Sequence, residues 1–154
     1  MVKKQYWILA LPFLVVLIDQ IAKQMVLRNI EFGKNITLIP NLLYLTNISN
    51  TGTVLGLFKG LNLLFVLVTV FALALIAFWF YKTKEIQLKV ILALVLGAAA
   101  GNLVDRLAYG SVVDFIKLSF YPPVFNIADS VLTICIVWLA VYFIVKENKP
   151  KRKK

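Results

Sequence analysis

Four apolar segments, each close to the length that crosses a membrane, restrict this sequence more than any other feature. A hydrocarbon core about 30 Å thick requires roughly 20 residues of α-helix. The segments are residues 6–27, 61–81, 88–104 and 127–145. Because 61% of the 154 residues are hydrophobic, the composition excludes an ordinary soluble domain. The sequence therefore predicts an all-α membrane protein with four transmembrane helices, folded as one domain over residues 1–154.

The first apolar segment follows Lys3 and Lys4, as the core of a cleaved signal peptide would. However, Asp19 and Gln20 come where a cleavage site requires small residues. We therefore expect this segment to remain as the first membrane helix.

Basic residues favour one orientation in the membrane. Eleven of the 17 Lys and Arg residues lie near the two chain ends or in the 82–89 loop, and cytoplasmic loops are rich in such residues. We therefore predict that both termini and this loop are cytoplasmic and that residues 28–60 and 105–126 face outside. The basic tail 146–154 is expected to anchor the topology, so the net charge of +10 does not indicate nucleic-acid binding.

The outer segment 28–60 contains signals for β-structure. Residues 35–38 and 42–48 are rich in β-favouring side chains and are separated by Pro40 and Asn41. A turn is predicted at Asn50-Thr51-Gly52. We expect a small hairpin or sheet on the outer surface.

All four aspartates lie in or beside the apolar segments, where a charged side chain costs roughly 2.5–3.5 kcal/mol. Counted at about 1.5 Å per residue from the cytoplasmic boundary, Asp19, Asp105 and Asp129 lie at roughly 20, 24 and 26 Å. Asp114, in the predicted outer loop, can fold back onto the same layer. The four carboxylates are therefore expected to meet near the outer surface.

Neighbouring residues suggest structural roles for two of these aspartates. Asp19 and Lys23 are four residues apart and share a helix face, so they can neutralise each other. Asn102, Asp105 and Arg106 also share a face, which allows Asp105 and Arg106 to form ion pairs with each other or with other groups.

Asp114 and Asp129 have no cation four residues away, and Asn126 can orient Asp129 by hydrogen bonding. Two such carboxylates repel each other when both are ionised, which costs free energy, so they are expected to share a proton. An aspartic peptidase needs this arrangement, with one carboxylate as general base and the other as general acid. Proton-coupled transport uses acid pairs as well, and the residues alone leave both functions open.

Other chemistries are less compatible with the composition. The sequence has no histidine, and its single cysteine, Cys135, lies in an apolar run. A disulfide, a Cys/His zinc site and a Cys–His nucleophile are thereby excluded, and no metal or organic cofactor is implied. A Ser–Lys peptidase would have only Lys117 near its candidate serines. A carrier would be expected to show related halves, and no internal repeat is present.

Gly97 and Gly101 form a small-xxx-small pattern in the third segment. Such a pattern allows close approach of a neighbouring helix, either in a homodimer or within one bundle. We expect packing within the bundle.

Several blocks of this sequence together resemble the lipoprotein signal peptidase family, signal peptidase II. The resemblance covers nearly the whole chain and rests on residues 19–23, 39–40, 50–52, 101–106, 112–115 and 125–130. It implies a four-helix bacterial membrane peptidase with an outer β-cradle. Such enzymes cleave diacylglyceryl-modified prolipoproteins just before the lipidated cysteine, in the cell (inner) membrane.

The resemblance also implies roles for individual residues. Asp114 and Asp129 would be the catalytic pair, in a site that opens sideways to the lipids of the outer leaflet, and the protein is expected to be a monomer. Together with Lys23, the supporting or substrate-binding residues would be Asp19, Asn50, Gly52, Asn102, Asp105, Arg106 and Asn126. Two positions depart from the family pattern: residues 53–56 read Thr-Val-Leu-Gly instead of Ala-Ala-Phe/Trp-Gly, and Ala100 replaces a leucine.

Overall fold

The computed structural model describes residues 5–52 and 61–148. The altered segment 53–56 and the basic residues beyond 148 lie outside this range. Within it, four helices are long and apolar enough to cross a membrane. They are α1 (Ala10–Asn29, preceded by a 3-10 turn at Tyr6–Leu9), α2 (Asn62–Lys82), α3 (Ile86–Tyr109) and α4 (Ile127–Glu147).

The predicted spans agree with these helices except at the outer end of α3. There the helix continues five residues beyond the predicted end and includes Asp105 and Arg106, which were expected to begin the outer segment. The helix can continue because Asp105 is fully buried and paired, as described below. It ends at Gly110, whose φ of 73° gives the left-handed turn that commonly terminates helices.

The outer segments form one antiparallel sheet of four strands. Their order is β1 (Asn35–Ile39), β2 (Leu43–Asn50), β3 (Val112–Leu118) and β4 (Tyr121–Phe125). The prediction of β-structure at 35–38 and 42–48 is confirmed. The prediction that Asp114 lies in a loop is wrong, because it lies within β3 and pairs with Ile48 of β2.

α3 packs against each of the other three helices. A Cβ added at Gly97 would lie 2.6 Å from the carbonyl oxygen of Pro12, and one at Gly101 would lie 2.8 Å from Oδ2 of Asp19. Both glycines therefore allow α1 and α3 to approach closely, which confirms the expected packing within the bundle.

Two small groups of buried apolar residues hold the helices and the sheet together. Val15, Ala98 and Ala128 connect α1, α3 and α4, while Val26 and Ile30 pack with Phe115 of β3. Large apolar side chains elsewhere on the helices are exposed, as expected for surfaces in contact with lipid. The sheet is thereby fixed at the end of the bundle where the four aspartates lie.

Candidate active site

A buried ion cluster connects α1 to α3. Nζ of Lys23 lies 2.6 Å from Oδ2 of Asp19 and 2.8 Å from Oδ2 of Asp105, and all three side chains are at most 1% exposed. The predicted pair of Asp19 and Lys23 is confirmed, and Asp105 pairs with Lys23 rather than with Arg106. Burying charges is costly unless they are paired and hydrogen-bonded, and here each carboxylate has additional donors.

These additional donors hold the backbone directly before each of the other two aspartates. Oδ1 of Asp19 accepts a hydrogen bond from the backbone nitrogen of Ala128 at 2.9 Å. Oδ2 of Asp105 accepts one from the backbone nitrogen of Val113 at 3.0 Å. Ala128 precedes Asp129 and Val113 precedes Asp114, so the ion cluster positions both members of the predicted catalytic pair.

Gln20 completes the cluster, although the sequence interpretation assigned it no role. Its Nε2 donates to Oδ1 of Asp105 at 2.7 Å and to the carbonyl oxygen of Gly101 at 3.1 Å. The signal that could have identified it is a polar amide in an apolar helix, one residue after Asp19.

Asp114 lies in β3 and is 1% exposed. Its Oδ2 accepts a hydrogen bond from Nδ2 of Asn50 at 2.8 Å, and its Oδ1 accepts one from Nδ2 of Asn126 at 2.7 Å. Burial raises the pKa of Asp114 to about 7. The nearby charge of Asp129 also raises this pKa, whereas the two hydrogen bonds lower it. Near neutral pH, therefore, Asp114 can hold a proton.

Asp129 occupies a different environment in the first turn of α4. It is only partly buried, and its Oδ1 accepts a hydrogen bond from Nδ2 of Asn102 at 2.8 Å. Its Oδ2 accepts one from the backbone nitrogen of Asn126 at 3.3 Å, as half of a capping box. The positive end of the helix dipole also favours a negative charge at this position.

Asn126 contacts both aspartates, and its expected hydrogen bonding to Asp129 is present. Its side-chain oxygen accepts a hydrogen bond from the backbone nitrogen of Asp129, whereas its side-chain nitrogen donates to Asp114. Only its backbone nitrogen donates to the carboxylate of Asp129. One asparagine thus fixes the relative position of the two carboxylates.

The turn after β2 brings Asn50 to Asp114. The backbone nitrogen of Gly52 donates to Oδ1 of Asn50 at 3.0 Å, which orients the Asn50 amide nitrogen toward Asp114. Gly52 has a φ of 135°, and a side chain there would overlap the ring of Phe65. The same ring lies 5.2 Å from the Arg106 guanidinium, which forms no ion pair with any residue that the structure describes.

A mostly apolar groove of about 620 Å³ reaches this site between β4 and α4. Asn50 and Asp129 line it together with apolar side chains of the sheet and of α4. These include Leu118, Tyr121, Pro123, Val124, Phe125 and Ile134. A peptide with apolar substituents can therefore reach Asp129 from the surface of the bundle.

The predicted site residues thus form one connected arrangement around two unlike carboxylates. Asp19, Lys23, Asn102 and Asp105 lie behind the pair, and the remaining predicted residues lie around it. In the ranges 5–52 and 61–148, no set of three or more acidic or cysteine side chains is placed to hold a metal ion. A partly exposed carboxylate beside a buried, protonatable one can perform general acid–base chemistry on a bound peptide.

Known proteins are similar to this chain in both sequence and fold. A family model described as signal peptidase (SPase) II matches residues 11–145. A lipoprotein signal peptidase of Halalkalibacterium halodurans is 36% identical over 156 residues, which cover 97% of each chain. One of Listeria monocytogenes is 34% identical over 151 residues, which cover 95% of this chain and 97% of that relative.

Two solved bacterial membrane enzyme structures, both obtained by the in meso method, are also similar. One has a TM-score of 0.88 at 29% identity, and the match covers 96% of this chain and 93% of that chain. The other has a TM-score of 0.81 at 30% identity, with 94% of both chains covered. This is a multi-pass bacterial membrane protein. Because the family model spans almost all of α1 to α4 and the sheet between them, the chain belongs to the signal peptidase II family.

Proposed function

We propose that Asp114 and Asp129 are the catalytic pair with which this signal peptidase II removes signal peptides from prolipoproteins. The observation that carries the proposal is the contrast between two carboxylates positioned by the same asparagine. Asp114 is buried with a pKa of about 7, whereas Asp129 is partly exposed at a helix N-terminus. In this proposal Asp114 holds the proton of the pair, and Asp129 acts as the general base.

The chemistry follows from this difference. Asp129 removes a proton from a water molecule while the water oxygen attacks the scissile carbonyl carbon. Asp114 donates a hydrogen bond to the carbonyl oxygen and then gives its proton to the leaving amine nitrogen as the C–N bond breaks. Asp129 then carries a proton and Asp114 does not, so the proton must return to Asp114 before the next turnover.

The apolar groove suits a lipid-modified substrate. The family relatives are named lipoprotein signal peptidases, and their substrates would carry acyl chains that stay among membrane lipids. In this proposal a monomer cleaves diacylglyceryl-modified prolipoproteins directly before the lipidated cysteine. Both termini are cytoplasmic, in keeping with the distribution of Lys and Arg, and the site faces the outer leaflet. The alternative of a proton-coupled carrier has no support from the family comparison.

The decisive test is cleavage of a diacylglyceryl-prolipoprotein by purified Asp114→Asn and Asp129→Asn proteins. Each substitution keeps the size of the side chain but removes its ability to exchange a proton. We expect no detectable cleavage by either variant, with elution profiles in detergent like that of the wild type. Glu31→Gln, an exposed acid far from the pair in sequence, is the matched control and should retain full activity. Near-normal turnover by either aspartate variant would refute the assignment.

A further inference from the structure

We propose that Lys23 is a positioning residue for the reaction. It fixes the orientation of the Asn102 amide, and this orientation provides a hydrogen bond to the carboxylate of Asp129. The inference rests on the proposed catalytic pair and adds a residue that acts on Asp129 without touching substrate.

Three polar contacts fix the conformation of the Lys23 side chain. Its ammonium group has three donors and no acceptor, and it lies near three oxygens. Two belong to Asp19 and Asp105, at 2.6 and 2.8 Å, and the third is Oδ1 of Asn102 at 3.0 Å. Asp19 and Asp105 are themselves held by the backbone nitrogens of Ala128 and Val113.

The amide of Asn102 can satisfy its neighbours in one orientation only. Its Oδ1 accepts hydrogen bonds from Lys23 and from Nδ2 of Asn126 at 3.1 Å, and its Nδ2 donates to Oδ1 of Asp129 at 2.8 Å. A flipped amide would bring its nitrogen against two donors and its oxygen against a carboxylate. Since the ammonium group can only donate, it excludes the flipped state.

Hydrogen bonding to the charged form of a carboxylate favours that form. Without Lys23, only Asn126 and Asp129 hold the Asn102 amide, so it turns more readily, and in the turned state Asp129 loses a donor and faces an acceptor. Besides Asp114 on β3, the other charged groups near Asp129 are Asp19 on α1, and Asp105 and Arg106 on α3. Within the described residues, Arg106 is then the remaining cation whose charge reaches both Asp114 and Asp129.

The test compares pH–rate profiles of Lys23→Met and Asp19→Asn on one lipidated substrate. Both variants break the same buried ion pair, but only Lys23→Met removes the contact to Asn102. We expect Lys23→Met to move the acidic limb of kcat/KM upward by roughly one pH unit, with kcat falling more than KM changes. In Asp19→Asn the limb should stay in place or move downward, because the cation remains and a negative charge is lost.

The proposal is refuted if the acidic limb of kcat/KM for Lys23→Met stays at the wild-type pH. It is also refuted if the limb of Asp19→Asn moves upward by the same amount. If Lys23→Met does not fold, Asn102→Leu provides the second measurement, because it removes the amide and leaves Lys23 with both carboxylates. The same upward movement is then required, and an unmoved limb refutes the role of the amide.

Failure of this inference differs from failure of the proposed function. If Asp114→Asn or Asp129→Asn remains active, the catalytic pair is wrong. If both are inactive while the limb of Lys23→Met does not move, the pair stands and only the role of Lys23 is refuted.

Discussion

Oδ1 of Asp19 on α1 accepts a hydrogen bond from the backbone nitrogen of Ala128 in the first turn of α4. Asp105 makes the corresponding contact with Val113 on β3. Each of these carboxylates holds the residue directly before a proposed catalytic aspartate, so both are structural groups with a direct effect on the geometry of the site.

Asp19→Asn should lower the unfolding temperature in detergent while leaving measurable peptidase activity. Asparagine can still accept the hydrogen bond from Ala128, but Lys23 loses one of its two buried anionic partners. Breaking a buried ion pair costs roughly 3–5 kcal/mol. Thermal unfolding and steady-state cleavage are the measurements. The control is Glu85→Gln, which breaks the exposed pair with Lys146 and should cost at most about 1 kcal/mol. Unchanged stability with no activity would instead assign Asp19 a catalytic role.

Gly97→Ala and Gly101→Ala should both destabilise the bundle, and Gly97→Ala should do so more. A methyl group at Gly97 meets the backbone of Pro12, which cannot move alone, whereas one at Gly101 meets the side chain of Asp19. Unfolding temperatures in detergent provide the comparison. Val104→Ala on an exposed face of α3 is the control and should change little. If Gly97→Ala is as stable as the control, the close approach of α1 and α3 described above is wrong.

Asp114 should make the wild-type protein less stable as the pH rises. Its pKa is about 7 in the folded protein and 3.8 as an unperturbed group, so folding favours the protonated form. This contribution to stability is complete below the unfolded value and is lost as the pH rises toward 7. The unfolding temperature of Asp114→Asn should therefore fall less between pH 5 and pH 8 than that of the wild type. Parallel curves for the two proteins would contradict the raised pKa.

Gly52→Ala should reduce kcat/KM by roughly tenfold or more, since small displacements of a site can have large kinetic effects. The new side chain would overlap Phe65 and shift the turn that orients Asn50 toward Asp114. Gly33→Ala is the matched control, because Gly33 also has a positive φ but has nothing within 4 Å of an added Cβ. Its kcat/KM should stay close to the wild-type value. Equal losses in the two variants would indicate a general effect of backbone strain.

The membrane helices could be predicted because each is visible in the sequence as an apolar run long enough to cross a bilayer. Half of the sheet could not, because β3 pairs with β2 across more than 60 residues of intervening sequence. Val112–Leu118 contains Asp114 and Lys117, and β4 contains Pro122 and Pro123, so neither segment resembles an independent strand. Strand formation here depends on partners that are distant in the sequence.

For the site, counting residues along each helix was sufficient to bring Asp19, Asp105 and Asp129 into one layer. Hydrogen-bond directions were not predictable in this way. The side chain of Asn126 donates to Asp114 rather than to Asp129, and Gln20 donates to Asp105. Both contacts depend on how α1, α3, α4 and the sheet face one another, which sequence spacing does not determine.

The position of Lys23 between two helices also has a consequence for biogenesis. α1 enters the membrane with Lys23 and Asp19 neutralising each other within one helix, but Asp105 has no cation four residues away on α3. Asp105 finds its cation only when α3 docks against α1. The cost of a charged group in lipid therefore favours this docking during synthesis. The same docking forms the ion cluster whose carboxylates hold Ala128 and Val113, so the geometry of the site depends on this contact between α1 and α3.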